Sequence, residues 1–129
     1  MSNVEDHLAI RELAARYNRA FDYGDPEAWV KCFTDDGTFE MGGKQLAAGS
    51  EALLAFAKKM IPTMKVKHCT TDAIVEVNGS TGTHDAYLIL MSCGEKVSAA
   101  NSGRYLDKVV KQNGQWKFQQ RVVEIDGKM

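Results

Sequence analysis

Between Ile10 and Phe39 the chain gathers candidate acid and base groups at a place a fold would shield from bulk water. Leu8, Ile10, Leu13, Ala14, Tyr17, Ala20 and Phe21 recur at helical spacing and form one apolar stripe. Asp22 falls one residue beyond that stripe, five after Tyr17, and so lies near the buried side. Gly24 stops the helix. Asp25-Pro26 then starts another, with a side chain suited to the N-cap and a ring suited to the first helical position. A carboxylate is thus held at a tight corner between two packed helices. Read alone, Asp22 serves equally well as a cap of that corner or as the partner of an arginine.

The elements that would position these groups follow from pattern. The first helix begins within Ser2 to Glu5, where Ser2 or Asn3 can cap it. A second runs from Pro26 to about Phe33, and Thr34 to Gly37 reads as a turn. Thr38 to Leu46 reads as a hairpin bent at Gly42-Gly43. Ser50 is placed to cap a third helix that Pro62 closes. Beyond Lys65 everything reads as extended: Lys65 to Val77, Thr81 to Cys93, Val97 to Lys111 and Gln115 to Asp126, with turns at Asn78-Gly79, Gly94 to Lys96 and Asn113-Gly114. Helices first and a meander of long strands afterwards is an α+β arrangement. Strands of this length need bulges to wrap around helices, so the expected form is a cone of N-terminal helices on a strongly curved, mostly antiparallel sheet. Val75, Val77, Val109, Val123 and Ile125 read as apolar patches on its outer face, which predicts a homodimer or higher homo-oligomer through the sheets.

Composition narrows the function. At 129 residues and 44% hydrophobic, the chain is expected to be one domain over residues 1–129. Sixteen basic and seventeen acidic residues, with no basic run, offer nothing to neutralise a phosphate backbone or grip an anionic membrane, so neither nucleic acid nor membrane is an expected partner. The polar start from Ser2 to His7 and the absence of an apolar run of about 18 residues point to a cytoplasmic protein. Cys32, Cys69 and Cys93 are too far apart for a CxxC metal site and odd in number, so they read as reduced core or half-buried thiols. His7 reads as a solvated surface residue, and His84 as structural or surface. With no GxGxxG, Walker or zinc spacing, the expected chemistry uses no cofactor and no metal, which leaves proton transfers: elimination, isomerisation or aldol-type cyclisation.

The runs IRELAARYNRAFDYGDPEAWVKCFTDDGTFE, KHCTTDAIVEVNG and GRYLDKVVKQNGQWKFQQRVVEID resemble the SnoaL-like branch of the nuclear transport factor 2-like superfamily over nearly the whole chain. The resemblance implies a cone-shaped α+β barrel and, by likeness to scytalone dehydratase, bile-acid dehydratase and hexachlorocyclohexane dehydrochlorinase, a catalytic Asp ending the first helix and a His opening the first long strand. Those positions hold Asp22 and His68, and Tyr17 matches a tyrosine of the bile-acid enzyme. A histidine can take a proton from carbon and return it to a departing oxygen, while a buried carboxylate fixes its tautomer and stabilises the imidazolium. The carboxylate base of ketosteroid isomerases corresponds here to about Met41, which cannot abstract a proton, and no Asp-Arg-Asp group of the limonene epoxide hydrolase kind is evident. Asn101 is carried over as a substrate contact from scytalone dehydratase. Trp29, Phe33, Phe39, Met41, Phe56, Met60, Tyr87 and Tyr105 offer an apolar, aromatic wall for a small cyclic molecule.

The reading that follows is a cofactor-independent lyase, most like a dehydratase, with a His-Asp dyad in a closed pocket. Its alternative is a ligand-binding or assembly domain of the same fold, with an isomerase or polyketide cyclase third.

Overall fold

Asn3 opens the first helix, its side chain accepting the Glu5 amide at 2.8 Å. The computed structural model describes residues 3–128, so Ser2, the other candidate cap, lies outside them. Helix α1 (Val4–Asp22) buries Ile10, Leu13, Ala14, Tyr17, Ala20 and Phe21 of the stripe expected from periodicity, whereas Leu8, also assigned to it, is exposed. Gly24, at φ 79°, releases the chain from the helix. Asp25 then caps α2 (Pro26–Val30) by accepting the Ala28 amide at 3.0 Å.

Helix α2 is shorter than its pattern suggested. Strand β1 begins at Phe33 and runs to Met41, so Thr34 to Gly37 belong to a strand and not to a turn. The absence of a side chain at Gly37 permits this: a Cβ there would lie 3.0 Å from the Thr34 carbonyl and 3.2 Å from that of Phe118 on the neighbouring strand. Strand β2 (Lys44–Ala48) turns back at Gly42-Gly43 as expected. Helix α3 (Ser50–Met60) has Gly49, not Ser50, at its N-cap; the Ser50 hydroxyl donates to the Asp35 carbonyl instead. A 3-10 turn (Ile61–Thr63) leads into the meander β3 (Val66–Asn78), β4 (Thr81–Cys93), β5 (Val97–Gln112) and β6 (Gln115–Ile125). The spatial order is β2-β1-β6-β5-β4-β3, antiparallel throughout except β1 with β6, in an open sheet that curves around α1 and the shorter helices.

Two bulges set which side chains face α1. In β3 the register with β4 shifts between Thr71 and Ile74, where Asp72 takes φ 54°. Before the bulge Val66, His68 and Thr70 turn inward; after it Ala73, Val75 and Val77 do, because one extra residue inverts the alternation. In β6 a second shift, opposite Lys108 and Val109, has the same effect between Phe118 and Arg121. Val75 and Val123 are therefore core residues, Val77 and Ile125 pack against the core, and Val109 is core through plain alternation with Tyr105, all correcting their assignment to the outer face. The outer face instead carries Ile74, Tyr87 and Ile89, which are 67%, 56% and 38% exposed. Tyr87 thus points away from the interior it was expected to line.

At the far end of α1, Asp6 accepts hydrogen bonds from Trp116 Nε1 at 2.9 Å and Lys111 Nζ at 3.1 Å, tying the helix to the β5–β6 hairpin. The Trp116 bond, then Lys111, holds the Asp6 carboxyl below its ordinary value. Arg104, bonded through two nitrogens, does the same to Asp85. A carboxyl depressed in the folded state stabilises it above the unfolded value of about 3.9 and loses that effect as pH falls through the folded value. Thermal stability should therefore drop as pH falls below about 4, and Asp6→Asn should remove part of that dependence. Melting curves with the same pH profile for both proteins would contradict this linkage.

Candidate functional site

Asp22 is the last residue of α1 and His68 the third of β3. The carboxylate Oδ2 accepts the His68 backbone amide at 2.9 Å, and Oδ1 lies 2.6 Å from the ring Nδ1. Both side chains are nearly buried, 6% and 10% exposed, and the Phe21 ring meets the imidazole edge-on at 5.0 Å between centroids. Asp22 therefore neither caps the corner, which Asp25 does, nor pairs with an arginine. With Nδ1–H directed at Asp22, a neutral imidazole presents Nε2 as its basic nitrogen, and no hydrogen bond occupies Nε2 among the described residues.

The same seam continues along the helix. Asn18 Nδ2 donates to Thr70 Oγ1 at 2.8 Å, and Arg11 donates to the Ala73 carbonyl at 3.1 Å. Four residues of helix rise about 6 Å and two of a strand about 6.6 Å, so Asp22 and Asn18 match His68 and Thr70 rung for rung.

Tyr17 lies deeper, 3% exposed, with ring centroids 5.3 Å from Trp29, 5.8 Å from Phe118 and 6.1 Å from both Phe33 and Tyr105. Burial, then the neighbouring Tyr105, pushes its phenol well above the ordinary value, so its hydroxyl stays protonated. It makes no hydrogen bond to Asp22 or His68. Trp29, Phe33, Phe39 and Phe56 pack on one another at 4.9 to 5.9 Å, a core and not an open wall, while Met41, Phe56 and Met60 remain partly accessible. The Asn101 side chain is engaged with the tail: Oδ1 accepts the Ser102 and Gly127 amides, both at 2.9 Å.

A second polar group lies inside the sheet that sequence reasoning missed. Arg121, fully buried, places its Nε 3.1 Å from Asp107 Oδ1, an ion pair misaligned for a hydrogen bond. Asp107 Oδ2 is 2.8 Å from His84 Nδ1. The guanidinium carbon sits 3.5 Å from the Tyr105 centroid, 4.2 Å from Tyr17 and 4.3 Å from Phe118, so aromatic faces offset part of its desolvation. His84 is thus neither solvated nor isolated. One signal was available: Asp107 stands in phase with the inward Tyr105 and Val109 on β5. Arg121 was hidden by the β6 bulge.

Two open clefts lie elsewhere. One of about 820 Å³ runs between the flank of α1, α2 and the β5–β6 turn, lined by Arg16, Arg19, Tyr23, Lys31, Trp116 and Lys117 among others. The other, about 400 Å³, borders Glu76, Gly82 and Lys108. Neither takes in Asp22 or His68, so the closed pocket expected around them is not one of these clefts. Of the cysteines, Cys32 is buried and its thiol pushed up to about 11 by that burial, Cys93 is half-buried, and Cys69 is exposed, unlike the expectation for it. His7 is half-buried rather than fully solvated.

No curated protein sequence matches the chain. Similar solved structures include a Mycobacterium tuberculosis protein of unknown function, 31% identical, in which all of this chain aligns with 79% of that one at a TM-score of 0.90. A Nostoc punctiforme protein of unknown function with a cystatin-like fold is also 31% identical, with 98% and 96% of the two chains aligned and a TM-score of 0.90. A Novosphingobium aromaticivorans protein provisionally called a scytalone dehydratase shares the fold at 21% identity and a TM-score of 0.84, over 97% of this chain and 87% of that one. The family model described as a SnoaL-like domain matches residues 2–122, and the chain belongs to that family.

Proposed function

We propose that this SnoaL-like protein is a cofactor-independent lyase, most like a dehydratase, acting on a small cyclic apolar compound with an acidic C–H. The observation that carries this reading is the two-point hold of Asp22 on His68, which directs Nδ1 at the carboxylate and leaves Nε2 without a hydrogen-bond partner among the described residues. Nε2 takes the proton from carbon, Asp22 stabilises the imidazolium, and the same proton then goes to the departing hydroxyl, which leaves as water. Tyr17, buried beneath the dyad, serves as a protonated donor to the site, and Met41, Phe56 and Met60 as its accessible apolar contacts. A ligand-binding or assembly domain is the second reading, favoured by the position of both clefts away from His68.

No helix among the described residues is long and apolar enough to cross a membrane. We also propose a homodimer through the outer sheet face, where Ile74, Tyr87 and Ile89 surround the Asp85–Arg104 ion pair.

Cyclic β-hydroxy ketones offered in deuterated water test the chemistry by NMR, through hydrogen exchange beside the carbonyl and formation of the enone. His68→Gln keeps size and one hydrogen bond but should lower the rate by roughly 10² or more. Asp22→Asn should also slow it, and the double variant should be little worse than the worse single one, since the pair acts as a unit. Additive losses, or an unchanged rate in His68→Gln, would sink the reading. For the assembly, light scattering should give a dimer at micromolar concentration and a monomer for Tyr87→Asp; a wild-type monomer would exclude it.

A further inference from the structure

Asn18 uses only one end of its side-chain amide. Its Nδ2 donates to Thr70 Oγ1 at 2.8 Å, while its Oδ1, shielded from water, has no hydrogen-bond partner among the described residues. The residue is 7% exposed. A buried amide oxygen left without a donor is costly, and such groups in folded proteins are nearly always satisfied. The neighbouring row of side chains cannot supply the donor: across the sheet Thr70 is followed by Leu88 and Gly103, neither with a polar side-chain atom. Thr70 is complementary in the other sense. Its oxygen already accepts from Asn18, which leaves its hydroxyl proton to be donated. The pair thus offers one acceptor and one donor side by side, a set that a hydroxyl group, at once donor and acceptor, fulfils. A ketone or an ether could use only the donor, and a carboxylate would meet the bare Oδ1 with like charge.

This rung lies beside the dyad. Asn18 is four residues before Asp22 on α1, and Thr70 is two after His68 on β3. The two stations are therefore about 6 Å apart, along a shared helix face and a shared strand face. That spacing is about the width of a six-membered ring. A cyclic molecule whose C–H meets His68 Nε2 can reach Asn18 with a substituent on the far side of the ring.

We infer that Asn18, with Thr70, is the specificity-determining group of this site, and that the substrate carries a ring hydroxyl about one ring's width from the C–H that reacts. The reaction rests on the lyase reading; the binding does not. This hydroxyl stays on the ring, because the one that leaves stands on the carbon next to the C–H and takes its proton from His68. Its O–H donates to Asn18 Oδ1, and its oxygen accepts from Thr70 Oγ1. A site built on such groups rejects analogues that lack the hydroxyl, because its buried polar atoms are then left unpaired.

The probe is β-naphthol, uncharged at neutral pH, compared by fluorescence titration with its methyl ether, which keeps the oxygen but has no proton to give. The wild-type protein should bind the naphthol at least about fivefold more tightly. The His68→Gln variant should keep that preference. Asn18→Leu, close in shape but without the amide, should bind both probes equally. Because loss of the bond to Thr70 can unfold that variant, the wild-type Asn18 Nδ2 resonances are followed as well, and they should shift on adding the naphthol. Equal affinity of the wild type for the two probes, or binding of neither, would show that a buried water completes Asn18 and overturn the inference. So would a naphthol preference that survives in Asn18→Leu, one lost in His68→Gln, or binding that leaves the Asn18 resonances unmoved. A naphthol preference that depends on Asn18, in a protein whose exchange chemistry ignores His68→Gln, would keep this station and remove the lyase.

Discussion

The seam between α1 and β3 is the constraint on which the rest of this architecture depends. A helix and a strand have different rises, and they can be cross-linked by side chains over several rungs only where the two repeats nearly agree. Four helical residues against two of a strand is such a match. Asp22 with His68 and Asn18 with Thr70 use it directly, and Arg11 extends it beyond the bulge to the Ala73 carbonyl. Because Asp22 grips both the backbone amide and the ring of His68, neither the strand position nor the ring orientation is free to vary alone. The same bonds that hold the helix on the edge of the sheet therefore aim Nε2. On the proposed lyase reading stability and chemistry share this residue pair, which is why loss of Asp22 is expected to matter beyond its charge.

Inside the sheet the second constraint is electrostatic. Arg121, Asp107 and His84 are all essentially without solvent, and an ion pair in such a place contributes little net stability, because desolvation opposes the attraction. Three aromatic rings against the guanidinium offset some of that cost and fix where it lies. A hydrophobic residue at position 121 would pack the core with less expense.

The sequence was most legible where local chemistry decides the outcome. The apolar stripe of α1, the Asp25-Pro26 start of α2 and the Asn113-Gly114 turn, with both residues at positive φ, are written in neighbouring residues. Asp22 and His68 were legible through family resemblance, since nothing local joins positions 46 residues apart. Thr34 to Gly37 misled because Thr-Asp-Asp-Gly is turn chemistry, and in the fold these residues bulge out of β1 between its pairings with β6 at Phe33 and at Thr38. The bulges at Asp72 and before Arg121 were the larger loss. Each inverts the in-out alternation, so a single unseen residue sent Val75, Val77, Val123 and Ile125 to the wrong face and concealed Arg121. Val109 and Tyr87 needed no bulge, since strict alternation with Tyr105 and with Leu88 already assigns them inward and outward.

The account turns on the claim that Asp22 sets the His68 ring with its proton on Nδ1 and its basic nitrogen on Nε2. Ring nitrogen chemical shifts of ¹⁵N-labelled protein report that directly, without a substrate. At a pH where the ring is neutral, His68 should show a protonated Nδ1 and a bare Nε2, and Asp22→Asn should shift the population toward the other tautomer. A wild-type His68 with its proton on Nε2, or a tautomer indifferent to Asp22→Asn, would contradict the account at its centre.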